Sequence, residues 1–294
     1  MEATEEKTIE EKGPAFQKEA IEKRPGLLLV LTGPTGAGKD AVMDELLKRY
    51  PEMTQVVSVT ARERRVEDGE EHGKKYIYID PDYVEENPER LRENNRRFLE
   101  MKEKGRFLED NFYGGAYYGT LKESIDPVLA GQDMVWRVDA SRAAKVEELF
   151  REKFPKKTAE ELIKRTVVVY IRAPSLTVQK DRFYSRELRK MKERLSAEDL
   201  SEEERKRLRD EIESERKELR KEFRKRLRGM EGEKRSKSDP ILEGDWKDWI
   251  EYGDKFENVI INKEGKLDQT VEEVSNLIEE HQRSVAKLSE VQLK

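Results

Sequence analysis

Leu27-Leu28-Leu29-Val30-Leu31-Thr32-Gly33-Pro34-Thr35-Gly36-Ala37-Gly38-Lys39-Asp40-Ala41 passes from a continuous apolar run into glycines and then into a helical pattern. A short apolar run that meets glycine at once predicts a strand buried on both faces. Between such a strand and a helix, the spacing Gly33-x-x-x-x-Gly38-Lys39 is that of a loop that cradles phosphate. Glycines let successive backbone N–H groups turn inward on an anion, and the following helix adds the positive end of its dipole. Lys39 is a point charge that reaches the β- and γ-phosphates and follows the transferring group. Gly33, Pro34, Thr35, Gly36, Ala37, Gly38, Lys39, Asp40 and Ala41 are therefore the expected contacts to a nucleotide polyphosphate. By itself the loop does not choose between a kinase and a hydrolase. Asp40 stands where Ser or Thr usually offers a hydroxyl to Mg²⁺; a carboxylate is also a hard oxygen ligand and is expected to hold the metal directly or through water.

Outward from the loop, strand-like runs recur at Gln55–Val59, Asp133–Val138, Thr166–Ile171 and Asn258–Ile261. Helical patterns fall at Ala41–Tyr50, Ser141–Phe150, Ser175–Arg186 and Val271–Ser284. This alternation predicts an α/β fold, a P-loop NTPase-type parallel sheet flanked by helices. Two stretches interrupt it: an Arg-, Tyr- and Gly-rich lobe at 61–118 and a charge-dominated segment at 182–249. The expected division is a charged leader at 1–25, a core from 26–60, 119–181 and 250–294, the inserted lobe, and a lid at 182–249.

Of the 294 residues, 43% are charged and only 35% hydrophobic, against about 25% and about 45–50% in an ordinary globular domain. Much of the excess lies at 187–228. There Leu188, Met191 and Leu195 form one helical stripe, and Ser201 with Glu204 makes a capping box for a second helix. That helix carries the sparse stripe Leu208, Ile212, Leu219, Phe223 and Leu227, ended by Gly229 and Gly232. The pattern predicts a projecting antiparallel hairpin with a seam too narrow to bury much besides its own two helices. It also offers a surface for self-association, and the oligomeric state stays open.

The net charge of −5 argues against binding nucleic acid through a basic surface. No cysteine occurs, which removes disulfides, thiol catalysis and thiolate metal sites. His72 and His281 are the only imidazoles, and His281 reads as a bystander on a helix. No run approaches a membrane span and the first residues do not form a signal peptide, so a soluble cytoplasmic protein is expected.

Three groups of residues follow the loop in order: Ser58-Val59-Thr60-Ala61-Arg62-Glu63-Arg64-Arg65 with Gly69-Glu70 and Tyr76; Phe107-Leu108-Glu109; and Tyr117-Tyr118-Gly119-Thr120. Over about 26–186 and 250–280 the chain resembles the guanylate kinase family, whose motifs are a G-P-S-G-x-G-K loop, S-x-T-T-R-x-x-R with G-E, F-x-E, Y-Y-G-[ST], D-x-D, a lid with R-L-x-x-R and a last strand ending in I-V-N. The resemblance implies that the inserted lobe takes GMP or dGMP and that Mg²⁺ accompanies ATP as phosphoryl donor. Arg62, Arg65, Tyr76 and Tyr118 match positions that hold the acceptor phosphate, an anion suited to guanidinium forks and phenol hydroxyls. Glu70 belongs to the same motif. Ser58, Glu109 and Thr120 match the guanine reader: a carboxylate accepts from N1–H and N2–H₂ and hydroxyls serve O6. AMP lacks those donors and would leave the carboxylate unpaired.

Asp139 matches the second acid of D-x-D and is expected near the acceptor phosphate and its arginines. Arg137 replaces the first acid, and Asp40 is expected to offset that change because the loop and this strand end lie close in a P-loop fold. Arg182 and Arg186 keep the R-x-x-x-R spacing of the lid on one helix face, and Arg235 is the choice for a third lid arginine. Asn262 matches the last-strand Asn on the ATP side, with Lys263 in place of an acid. The implied catalytic set is Lys39, Arg62, Arg182 and Arg186. Two other readings share parts of this pattern. A ribose bisphosphate phosphokinase-like enzyme also carries G-K-D but has no need of Glu109 and Thr120. A non-catalytic guanylate-kinase-like interaction module typically loses the phosphate loop, which this chain keeps.

Overall fold

The structure, a computed structural model, describes residues 26–113, 115–197, 200–227 and 252–292. The leader at 1–25, Arg235, Gly229 and Gly232 lie outside the described residues. Strand β1 (Leu28–Thr32) is buried along its whole length. It leads into α1 (Lys39–Arg49), β2 (Thr54–Gln55), β3 (Ser58–Thr60), β4 (Tyr76–Tyr78) and α2 (Pro88–Glu103). The hairpin β5 (Phe107–Tyr113) and β6 (Ala116–Leu121) follows, then α3 (Asp126–Leu129), β7 (Met134–Arg137), α4 (Ala140–Ala143), α5 (Val146–Lys153), α6 (Lys156–Lys164) and β8 (Thr166–Arg172). Helices α7 (Leu176–Glu187), α8 (Arg189–Leu195) and α9 (Glu202–Leu227) fall at the stretch expected to form a lid, and β9 (Asn258–Ile261) and α10 (Leu267–Gln292) complete the described chain.

The first sheet has the order β2-β7-β1-β8-β9, with every pairing parallel. Period-two alternation along β1 explains its two-sided burial. Leu28 and Val30 face one apolar cluster with Trp136, Phe150 and Leu162. Leu29 and Leu31 face the other, where α1 and α10 contribute Val42, Leu46, Val274 and Ile278. Helices thus cover both faces, as a parallel sheet requires. The carboxyl ends of β1, β7, β8 and β9 come together at one edge, where ligands of open α/β sheets bind.

The second sheet has the order β4-β3-β6-β5, and β6 runs antiparallel to both neighbours. Helix α2 closes one face: Phe98 stacks on Phe107 at 4.2 Å and on Tyr117 at 5.2 Å. Its start is set by Asn87, whose side chain accepts from the Glu89 and Arg90 N–H groups, and by Pro88 in the first turn. This sheet takes in Ser58–Thr60 and all of β6, so the division at 60 and 118 expected from sequence cuts through it. The expected run Gln55–Val59 is two strands, one in each sheet. The expected helix at 141–150 is likewise two, α4 and α5.

At the start of α9, the capping box forms as read. The Ser201 hydroxyl accepts from the Glu204 N–H at 3.3 Å, and Glu204 Oε2 accepts from the Ser201 N–H at 2.9 Å. The Arg205 guanidinium donates to the carbonyls of Leu195 and Ala197, which closes the turn. The seam holds more than its own two helices, contrary to expectation. Leu219 and Ile212 of α9 pack on Phe183 and Tyr184 of α7 as well as on Leu188 and Met191.

Candidate functional site

At two positions of the loop between β1 and α1 only glycine fits. A Cβ on Gly36, at φ +81°, would lie 2.6 Å from the Gln179 carbonyl, and one on Gly38, at φ +90°, would lie 2.3 Å from Asn262 Nδ2. Helix α7 and the end of β9 therefore wall the loop closely on two sides. Lys39 folds over it, donating to the carbonyls of Gly33 at 2.7 Å and Pro34 at 2.8 Å. Arg182 reaches the same wall, donating to the Ala37 carbonyl at 3.2 Å and the Asn262 carbonyl at 2.9 Å. Arg186, one turn on, is exposed and lies over its own Phe183 ring at 5.6 Å.

Asn262 is not open toward a base. It is 5% exposed, its Nδ2 donates to the Ala37 carbonyl at 2.9 Å, and its Oδ1 accepts from Thr270. Its place is beneath the loop, as a brace.

Asp40 and Arg137 form an ion pair, the proximity anticipated from the loop and the β7 end. Burial pushes the Asp40 carboxyl up, but Arg137, helped by Lys39 and Lys75, more than offsets it and holds the pKa below its ordinary value. The other arm of Arg137 donates from Nη2 to the Tyr76 hydroxyl at 3.1 Å.

Tyr76 begins a second cluster. Its ring meets Tyr118 edge-on at 5.9 Å, and the Arg62 guanidinium lies 5.1 Å above it. Arg62 is held by a fork-to-fork pair with Glu70, at 2.8 and 2.7 Å. Glu70 also accepts from the Tyr78 hydroxyl at 2.7 Å and from the Arg65 N–H at 3.1 Å. Burial raises the Glu70 carboxyl, and the bonds from Arg62, Tyr78 and Arg65 overcome it and lower the pKa to about 2. Glu70 was grouped with the ligand contacts by its motif. The structure turns its carboxylate inward, where it fixes the angle of Arg62. The Arg65 side chain is half exposed.

The third cluster is a row of hydroxyls at a carboxylate. Thr120 donates to Glu109 Oε1 at 2.7 Å, lies 3.3 Å from the Ser58 hydroxyl, and accepts from the buried Trp136 indole at 3.1 Å. Burial raises the Glu109 pKa to about 7; the Thr120 bond and Arg142 work against this, and the charge of Asp139 adds to it. Asp139 was expected beside the acceptor-phosphate arginines. It instead caps α4, accepting from the Arg142 N–H at 3.0 Å and the Ser141 hydroxyl at 2.6 Å, and pairs with the Arg142 guanidinium at 3.2 Å.

Sequence reasoning missed Tyr78, Trp136 and Arg142. Tyr78 was findable, since it shares a strand face with Tyr76 two residues earlier. Arg142 stands three residues after Asp139, the spacing of a cap and its partner. Nothing in the apolar run around Trp136 distinguishes its N–H. Among the described residues no cluster of three or more His, Asp or Glu is placed to hold a metal. No described helix is long and apolar enough to cross a membrane.

A family model described as guanylate kinase matches residues 26–281. The guanylate kinase of Chlorobium chlorochromatii is 31% identical over 162 residues, which are 55% of this chain and 70% of that protein. That of Carboxydothermus hydrogenoformans is 32% identical over 162 residues, 55% of this chain and 65% of its own length. For the Trichormus variabilis protein the match is 34% over 128 residues and spans 56% of its length. Among solved structures, a guanylate kinase from Anaplasma phagocytophilum matches with a TM-score of 0.48 at 20% identity, over 88% of this chain and 87% of its own.

Proposed function

The chain belongs to the guanylate kinase family, and from that premise we propose that it transfers the γ-phosphoryl group of ATP to the phosphate of GMP or dGMP, giving ADP and GDP or dGDP. The observation that carries this reading is the row Ser58, Thr120, Glu109, capped by the Trp136 N–H. A half-buried carboxyl poised near neutrality, with hydroxyls beside it, suits a base that offers N–H donors next to a carbonyl. Asp139 faces the same space closely enough to act on the Glu109 charge. A sugar phosphate would leave this row unused. An interaction module would have no need of a loop so tightly shaped as Gly36 and Gly38.

The acceptor is already an anion, so the reaction needs positioning and charge neutralisation more than a general base. Arg62, oriented by Glu70, with Arg65, Tyr76 and Tyr118, would hold the GMP phosphate. The loop amides and Lys39 would hold the ATP phosphates. Arg182, already seated on the loop carbonyl, and the exposed Arg186 would screen the charge that moves between them. Mg²⁺ fits the donor set at Asp40: an ionised, half-exposed carboxylate with one oxygen on Arg137 can give the single protein ligand that a largely phosphate- and water-bound magnesium needs. When bound it would neutralise phosphate charge. The place of such an enzyme is the cytoplasm, where both nucleotides occur.

Calorimetric titration of GMP and inosine monophosphate tests the reading. GMP is expected to bind at least about 10²-fold more tightly than the analogue without the 2-amino group, and Glu109→Gln should remove most of that preference. Equal binding of the two by the unaltered protein would contradict it.

A further inference from the structure

We propose that Arg137 is a positioning residue that ties the donor-phosphate loop to the acceptor-phosphate cluster, so that filling either nucleotide site tightens the other. The proposal rests on the two-site reading above and adds to it a coupling element. Arg137 ends β7 in register with Leu31, two residues before Gly33. From there one arm of its guanidinium reaches Asp40 in the first turn of α1, and the other reaches the Tyr76 hydroxyl in the second sheet.

An exposed ion pair on flexible side chains contributes little. This guanidinium is only 29% exposed and is held at both ends. Its planar fork cannot keep both bonds while the two elements move independently. Polar contacts reaching the second sheet include Trp136 to Thr120, Arg142 of α4 to the Asp110 carbonyl, and Arg137 to Tyr76. The last continues to the phosphate loop.

Each ligand has reason to favour the bridged arrangement. Polyphosphate in the loop sets negative charge beside Asp40, and Arg137 bonded to that carboxylate lowers the cost, alongside any magnesium held there. With Arg137 fixed, the Tyr76 hydroxyl is fixed too, and its ring holds the faces that Arg62 and Tyr118 pack against. An acceptor phosphate gathered by Arg62 and Tyr118 favours the same position of Tyr76. Two ligands that bias one element in one direction are coupled, and the coupling is reciprocal.

The test is calorimetric titration of GMP into the full chain with and without saturating magnesium and an ATP analogue carrying a methylene between its β- and γ-phosphorus atoms, and the reverse titration. The unaltered protein is expected to show a coupling factor of about 5–150, equal in the two directions. In Arg137→Met and in Tyr76→Phe the factor should fall below about 2, whatever happens to each separate affinity. Tyr76→Phe keeps the ring and removes only the hydroxyl, so it serves if Arg137→Met unfolds, and circular dichroism with a thermal melt establishes that each variant is folded. A coupling factor retained in Tyr76→Phe, or absent from the unaltered protein, overturns the proposal alone. A chain that binds neither nucleotide overturns the functional reading and the proposal with it.

Discussion

Glu109 has two properties that pull against each other. Its carboxyl has lost water to burial, which outweighs the bond it accepts from Thr120, and its pKa stands near 7 rather than the ordinary 4.5. Below pH 4.5 the group is neutral both folded and unfolded, and nothing is lost. Between 4.5 and 7 the unfolded chain releases its proton first, so stability declines across that window and stays lower above it. Glu109→Gln should therefore be more stable than the unaltered protein at pH 8, by about 1–3 kcal/mol, and no more stable at pH 4. Thermal melts at the two values check this. Binding has the opposite sign, because the ionised form accepts from guanine. The ratio of GMP affinities, unaltered over Glu109→Gln, should rise about tenfold from pH 6 to pH 8, the change in ionised fraction across a pKa of 7. Using the ratio cancels the titration of the GMP phosphate itself. A flat ratio would mean that this carboxylate does not meet the base.

Among the elements, α7 joins α9 to the loop. Its N-terminal half places Gln179 against Gly36 and Arg182 on the Ala37 carbonyl, and its C-terminal half offers Phe183 and Tyr184 to α9. The long charged helix α9 thus supports α7 from behind. Leu219, 4% exposed, lies in that seam. Leu219→Ala should cost about 2–4 kcal/mol of local stability. Hydrogen exchange should speed up in 176–195 and 202–221 while β1, β7 and β8 stay protected, and KM for ATP should rise as Arg182 loses its support. Uniform acceleration across the chain would show that the lid is not a separate unit. The strands around the loop were legible because a parallel sheet buries both faces and leaves unbroken apolar runs. Gln55–Val59 read as one strand because alternation along a run does not say which sheet each half joins. Helix α2 was missed because, of its sixteen residues, only Asn94 and Phe98 are buried, too few for a stripe. Its Asn87-Pro88 start was the usable signal. The seam of α9 was visible as Leu208, Ile212 and Leu219, but its partner on α7 was not, since Phe183 and Tyr184 sit in a motif read for its arginines.

Across the whole molecule, two sheets meet over the carboxyl edge of the first, and an overall acidic chain places several arginines there. Arg62 with Arg65, Arg137 and Arg182 come from three separate stretches of sequence, and each is already engaged by a protein partner: Glu70 for Arg62, Glu63 for the half-exposed Arg65, Tyr76 for Arg137 and the Asn262 carbonyl for Arg182. Ordered motifs made the residue types of the site legible in advance. They did not show which groups face a ligand and which face one another. Glu70, Asn262 and Asp139 matched ligand positions by spacing, and the structure engages them with Arg62, the loop and α4. Motif spacing records the positions a site needs and is silent on which partner a carboxylate or amide has chosen. The most direct trial of the kinase reading follows ADP release from ATP and magnesium with no acceptor, with GMP, with AMP, UMP or CMP, and with ribose 1,5-bisphosphate. Turnover with GMP should exceed every other condition by at least about 10²-fold, because only guanine satisfies the Glu109 row. Equal ADP release without an acceptor, or faster release with the sugar bisphosphate, would contradict it.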